Sequence, residues 1–470
     1  MANFISNDAS SFVVTQNEEL DFYTFLEIAR KEVLEKNPDF FSTETVSGAY
    51  DQKMRLKIKE LIRHFVDGQN VSVKGVKNKA ELIKKLFDEF VDYSVLTDYI
   101  KDEKNEIEEI NVNAWDDVEV RYSSGEVRKV EHFCNEEHAI DVIKRLSIAI
   151  NSKLDESKPM GEGSLSNNVR VVTLTTPILD SDVGAACSIR LLKQQEAKRD
   201  FFIKNGTITE DEMSFLELAI KSGVSMVFVG ETGCGKTTLM NYLLSTIPDN
   251  KRIVTIEHNA RELSLIKKDK DGNKLNNVVH TQTMTHSNEA LSVTQEDLVA
   301  KALRLDPSVI CVGEMRDAEA YAAQEASITG HTVVTSLHAD GIQATHFRIA
   351  MLALKRYSVD INVELLQAQM AFPIIVYLAK LEDNSRRVIE ISECSVLREG
   401  SEILSDYQTL FEYAVVENKI VDGKVKIIGN HVSNAKISSD LAKKMLRNGA
   451  SVSQLEKFGY RPSKVGGDIN

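Results

Sequence analysis

The stretch VSMVFVGETGCGKTTLM, residues 224–240, constrains the fold more than any other part of the chain. Its apolar opening, VSMVFVG, reads as a buried strand bounded by a turn. Gly230 then begins a run of Gly, four residues, Gly235, Lys236 and Thr237, the full spacing of a phosphate-binding loop between a strand and a helix. Glycines there let successive N–H groups turn inward around phosphate oxygens. A helix opening at Lys236 adds its positive end. On this reading Lys236 reaches the β- and γ-phosphates of ATP and Thr237 holds Mg²⁺. Gly230, Glu231, Thr232, Gly233, Cys234, Gly235 and Thr238 complete the cradle, Cys234 as a small residue that fits rather than a nucleophile. Kinases, GTPases and motors share such loops, so the loop alone stops at an α/β fold that binds a nucleoside triphosphate.

The rest of the chain divides by texture. Residues 1–104 read as a charged helical extension. Met54, Ile58, Leu61, Ile62 and Phe65 fall on one stripe at helical spacing, and Asn78 is placed to cap a second helix with Glu81 three residues on. Residues 105–192 alternate like strands around an amphipathic stretch, EEHAIDVIKRLSIAIN, and read as a smaller α+β domain. Residues 193–205 are a polar connection, and residues 206–470 carry the phosphate loop and a C-terminal segment. Thr209 and Glu212 stand at capping-box spacing before a helix that ends at Gly223.

Composition removes several function classes. Lys and Arg total 57 against 71 Asp and Glu, a net charge of −14, which argues against a nucleic-acid-coating protein. The five cysteines form no CxxC pair and read as reduced thiols of a cytoplasmic protein. The start, MANFISNDASSF, lacks the regions of a signal peptide, and no apolar run approaches the roughly 20 residues of a membrane span. A membrane role is therefore expected to run through partner proteins.

Three further strands place chemistry beside the loop. RIVTIE ends at Glu257, where ligands sit in parallel sheets. That carboxylate is a candidate to orient or deprotonate a water; an ordinary strand-end glutamate is an equal reading. SVICVG runs to Glu314, a carboxylate placed to hold Mg²⁺ or position water. TVVTSL lies between His331 and His338, about 23 Å apart at strand rise and too far for one metal ion. His338, after the carboxyl end of its strand, is a candidate γ-phosphate sensor. His331 fits a buried, hydrogen-bonded histidine as well.

Four motifs in order, the loop at 230–237, TIEHNAREL, VGEMRD and TGHTVVTSLH, resemble those of the secretion superfamily ATPases of type II and type IV secretion, type IV pili and tight-adherence pili. EINVNAWDDVEV, LDESKPM and CSIRLLK resemble the family's N-terminal domain, and DNSRRVIEISEC its C-terminal segment, so the likeness spans about residues 105–400. The resemblance implies a RecA-like P-loop core with ATP held between the two domains. Arg170 and Arg190 match the family's site-closing arginines, and Arg316 and Arg304 match positions near subunit contacts. It also implies a homo-hexamer on the cytoplasmic face of a membrane, working with inner-membrane platform or secretion-channel proteins and without direct nucleic-acid binding. One departure stands out: the second acid of TIEHNAREL is His258. A P-loop small-molecule kinase and a nucleotide-dependent, non-catalytic adaptor are the competing functions; a nucleic-acid translocase is a lesser one.

Overall fold

The computed structural model describes residues 19–37, 52–166, 168–192, 197–284, 289–399, 402–421 and 423–461. The N-terminal dodecapeptide and part of the polar connection lie outside them. The chain divides into two compact units, Met1–Lys193 with Thr285–Leu291, and Gln194–Met284 with Ser292–Asn470.

The first unit opens with short elements, β1 (Glu19–Leu20) and α1 (Phe22–Ala29), followed by α2 (Gln52–Asp67), β2 (Ser72–Val73), α3 (Lys79–Phe90) and α4 (Thr97–Lys101). The helical stripe of α2 buries Ile58, Ile62 and Val66, with Met54, Leu61 and Phe65 packed around them. Asn78 caps α3 by accepting the Glu81 N–H, while the Glu81 carboxylate accepts the Lys77 N–H instead of closing a capping box. β1 and β2 pair in parallel over two residues each, too short for any alternation in the sequence to announce.

The same unit then forms β3 (Ile107–Ala114), β4 (Asp117–Tyr122), β5 (Val127–Lys129), α5 (Glu136–Ala149), β6 (Met160–Ser166), β7 (Val169–Thr175) and β8 (Ala185–Leu191). They make a six-stranded sheet in the order β5-β4-β3-β8-β7-β6, antiparallel at every pairing. Alternating Ile110, Val112, Val171 and Ile189 turn to one face, where Val142, Ile143 and Leu146 of α5 cover them.

The second unit starts within the polar connection. α6 (Arg199–Lys204) forms there because Phe202 buries itself among core residues. α7 (Glu210–Lys221) follows, with the Thr209–Glu212 capping box closed. Next come β9 (Met226–Val229), α8 (Lys236–Ser245), β10 (Ile253–Glu257), β11 (Val278–Gln282), α9 (Gln295–Ala302), β12 (Val309–Val312), α10 (Glu319–Ile328) and β13 (Thr332–Leu337). After α11 (Ile342–Ala353) and α12 (Ile361–Ala371), the chain forms β14 (Ile374–Lys380), β15 (Arg386–Glu399), β16 (Glu402–Val421) and β17 (Lys424–Ser433). One nine-stranded sheet results, in the order β11-β10-β12-β13-β9-β14-β15-β16-β17.

The pairings from β11 to β14 are parallel and those from β14 to β17 antiparallel. Strands β9, β10, β12 and β13 are buried at every position. That is why their sequences read as short, mainly apolar runs without strict alternation. Apolar clusters on the two faces separate the sheet from its helices, one around Leu239, Leu243 and Phe215, the other around Ile310, Val333 and Ile349. The parallel pairing brings the carboxyl ends of β9, β10, β12 and β13 to one edge, and that edge holds the site. Among the described residues no helix is long and apolar enough to cross a membrane, and the five cysteines are free thiols.

Candidate functional site

β9 ends in the turn Gly230–Gly235, and Gly235 is the N-cap of α8 with φ of 101°. Gly230 adopts φ of 140°, and a β-carbon there would stand 2.0 Å from the Leu378 carbonyl oxygen of β14. Only glycine meets both demands. Residues 231–235 lie between β9 and α8, outside the strand ladder and ahead of the first helical turn. Their N–H groups, a helix N-terminus and a lysine make a cradle that fits a phosphate chain.

Lys236 is buried, and its Nζ donates to the carbonyls of Gly230 at 2.7 Å and Glu231 at 2.8 Å. Burial pulls the ammonium below its ordinary pKa, against the opposing pull of nearby acids, Glu314 among them. Thr237 is half-buried and Thr238 exposed on the first turn of α8. The Cys234 thiol is buried, and that burial pushes its pKa up against the opposing charge of Lys236.

Glu314 stands two residues beyond β12. Its Oε2 accepts from the Arg316 guanidinium at 2.7 Å, and its Oε1 lies 3.2 Å from His338 Nε2. Burial opposes its ionisation, but the Arg316 hydrogen bond and the charges of Arg316, His338 and Lys236 outweigh it and hold the carboxyl below its ordinary value. His338 follows β13, the strand paired with β9, and its Nδ1 lies 3.1 Å from the Gly230 carbonyl oxygen. One imidazole thus bridges the loop and the carboxylate. His331 stands at the other end of β13, where its Nδ1 is buried without a hydrogen-bond partner among the described residues.

Glu257 is the last residue of β10 and is 3% exposed. Its Oε1 accepts the N–H groups of Glu262 at 2.6 Å and Leu263 at 2.9 Å. Its Oε2 faces the Thr255 hydroxyl at 3.4 Å and His280 Nδ1 at 3.7 Å. The neighbouring His258 turns to Asn259 and Thr283. Glu257 is therefore tied into the segment that follows β10. His280, on β11, is a member of this group that no motif announced: it is a polar residue inside an ordinary strand.

Arg170 and Arg190 belong to the first unit, where β7 and β8 pair them directly across the ladder, with Glu109 opposite Arg190 on β3. Arg304 is exposed just past α9. A second residue the sequence did not single out is Arg386 of β15, whose Nε donates to the Gly233 carbonyl at 2.9 Å. A separation of 153 residues in sequence conceals that contact.

The profile of the family described as "Type II/IV secretion system protein" matches residues 92–437. The chain belongs to this family. The family fold is an α/β, RecA-like P-loop core with a smaller α+β N-terminal domain, as the motifs implied. Among relatives of this type II/IV secretion protein, Type IV secretion system protein PtlH of Bordetella pertussis is 37% identical over 142 residues, covering 30% of this chain and 38% of PtlH. Conjugal transfer protein TrbB of Rhizobium radiobacter is 27% identical over 260 residues, covering 53% of this chain and 72% of TrbB. The chain matches only 35% and 38% of the lengths of the first two relatives. Among solved structures, the Legionella pneumophila ATPase DotB is 20% identical with a TM-score of 0.45, covering 62% of this chain and 78% of that one.

Proposed function

We propose that this chain hydrolyses ATP and that, assembled as a hexamer, it drives a secretion, conjugation or pilus machine from the cytoplasmic face of a membrane. The observation that carries this reading is the meeting of three groups at the carboxyl edge of the parallel sheet. Lys236 follows β9, Glu314 follows β12, and His338 follows β13 and touches both Glu314 and the loop. Membership of a family that includes secretion and pilus ATPases supports it.

The residues divide the work. The backbone N–H groups of 231–235 and the Lys236 ammonium bind the phosphates. Lys236 would exchange its two loop carbonyls for phosphate oxygens, acceptors of higher charge. Thr237 and Glu314 would hold Mg²⁺, which supplies positive charge against the phosphate oxygens. Glu314 positions the attacking water and takes its proton. His338 transmits occupancy of the γ-phosphate to Glu314. Glu257 orders the segment after β10, since its Oε1 accepts the N–H groups of Glu262 and Leu263 there. In the first unit, Arg170 and Arg190 are the arginines that the family likeness assigns to phosphate, paired across β7 and β8, and a guanidinium fork matches phosphate oxygens.

The hexamer and the membrane partners follow from the family likeness; no composition feature carries them. The test is phosphate release from ATP by the purified chain with Mg²⁺, alongside its Lys236→Ala variant and native mass spectrometry. Release abolished in the variant, from an assembly of six copies, is expected. Equal release from both proteins would overturn the assignment.

A further inference from the structure

We propose that Arg386 is a nucleotide-binding residue, a guanidinium carried by β15 that grips the α,β-diphosphate of ATP or ADP. This rests on the reading of residues 230–238 as a triphosphate loop and adds a group from the stretch DNSRRVIEISEC, to which the sequence reading gave no role at the site. In the strand order, β9 lies between β13 and β14. Glu314 and His338 approach the loop from the β13 side. The β14 side carries a different set of contacts.

On that side the loop rests against the hairpin joining β14 to β15. Leu378 O stands 2.0 Å from where a Gly230 β-carbon would be, and the Lys380 N–H donates to Glu231 Oε1 at 3.3 Å. Arg386 begins β15 and is exposed. Its Nε donates to Gly233 O at 2.9 Å, and its Cδ lies 3.5 Å from where a Gly235 β-carbon would sit. The side chain therefore lies along the loop between Gly233 and Gly235.

Arg386 and its neighbour differ in what remains to be bound. Arg387 Nη1 donates to the carbonyls of Asn205 at 2.9 Å and Arg386 at 3.0 Å, and its guanidinium covers the Tyr413 ring. That arginine is structural. Arg386 uses one of its five N–H donors, and among the described residues no carboxylate pairs with it. Glu231, the acid within the loop, is turned to the Lys380 N–H. Anchoring Nε fixes the plane of the fork and leaves Nη1 and Nη2 as parallel donors beside the cradle. Parallel donors of this kind match two phosphate oxygens, which a lysine does not reproduce.

The experiment is equilibrium binding of ATP, ADP and AMP to the full chain, in wild type, Arg386→Ala, Arg386→Gln and Lys236→Ala. Glutamine keeps an N–H donor for Gly233 O and removes the charge. Both Arg386 variants are expected to bind ATP and ADP at least about tenfold more weakly, with AMP binding and nucleotide-free melting temperature unchanged. Wild-type affinity in Arg386→Gln would mean that the residue only steadies the loop, and would overturn the proposal while leaving the loop reading intact. Failure of wild type to bind ATP, or equal binding by Lys236→Ala, would instead sink the loop reading and this inference with it.

Discussion

His338 Nε2 lies 3.2 Å from Glu314 Oε1, while the other nitrogen of the same ring lies 3.1 Å from the Gly230 carbonyl oxygen. Both flanking atoms are acceptors, so the ring couples the opening residue of the phosphate loop to the carboxylate beyond β12. A change at the loop has a direct route to Glu314. Replacing His338 with alanine is expected to leave ATP binding within about threefold of wild type and to cut turnover at least tenfold, about 1.4 kcal/mol of barrier. Steady-state phosphate release and nucleotide titration check it; a variant with full turnover would remove the coupling.

The two glutamates are expected to separate. Glu314→Gln should still bind ATP but lose roughly 10²–10⁴ in turnover, the range for loss of a general base. Glu257→Gln retains a carbonyl oxygen for the N–H groups of Glu262 and Leu263, so its turnover should fall by less than about tenfold. Equal losses in the two variants would return Glu257 to a direct chemical role.

Gly230→Ala is expected to damage the loop without help from any ligand. The added carbon meets Leu378 O at 2.0 Å in backbone that L residues rarely adopt. Overpacking of that kind costs about 1–3 kcal/mol, before any strain in φ is counted. Denaturant unfolding should show the loss, with ATP binding reduced as well. An alanine variant as stable as wild type would show that β14 yields at this point.

Acid stability should depend on His346, far from the phosphate loop in sequence. The ring is buried, with Nε2 3.0 Å from the Phe372 carbonyl oxygen and Nδ1 2.8 Å from the Tyr407 hydroxyl. Burial lowers its pKa from 6.5 to about 4 despite the Phe372 hydrogen bond. The unfolded chain thus binds a proton that the folded chain refuses. His346 leaves stability undiminished above pH 6.5, and stability falls as pH drops towards 4, by up to about 3 kcal/mol. Denaturant midpoints at pH 7 and pH 5 measure it. His346→Gln should flatten the difference, whatever its cost at pH 7, and an unchanged slope would assign the acid sensitivity elsewhere.

Much of the site could be read before the fold was known, for a local reason. A phosphate loop is built by consecutive residues, so Gly230 to Thr238 carry their geometry in their own spacing. Buried parallel strands are mostly apolar, which marked β9, β10, β12 and β13 and placed Glu257, Glu314 and His338 near their carboxyl ends. The capping box of Thr209 and Glu212 is likewise complete within four residues. His280 and Arg386 gave no such signal. Each acts on a residue of another strand, and a strand's own sequence does not name its neighbour.

Sequence alone therefore determined that this chain folds around a largely apolar parallel sheet with a glycine-rich turn and a helix start at one edge, because period and spacing are properties of short segments. Only the tertiary structure decided the strand order. It placed β13 beside β9 so that His338 reaches Gly230 and Glu314, tied Glu257 to the segment after β10, and laid β15 so that Arg386 meets Gly233. Those contacts join positions up to 153 residues apart, and they exist because hydrogen-bond pairing between strands and burial of the two sheet faces select one arrangement.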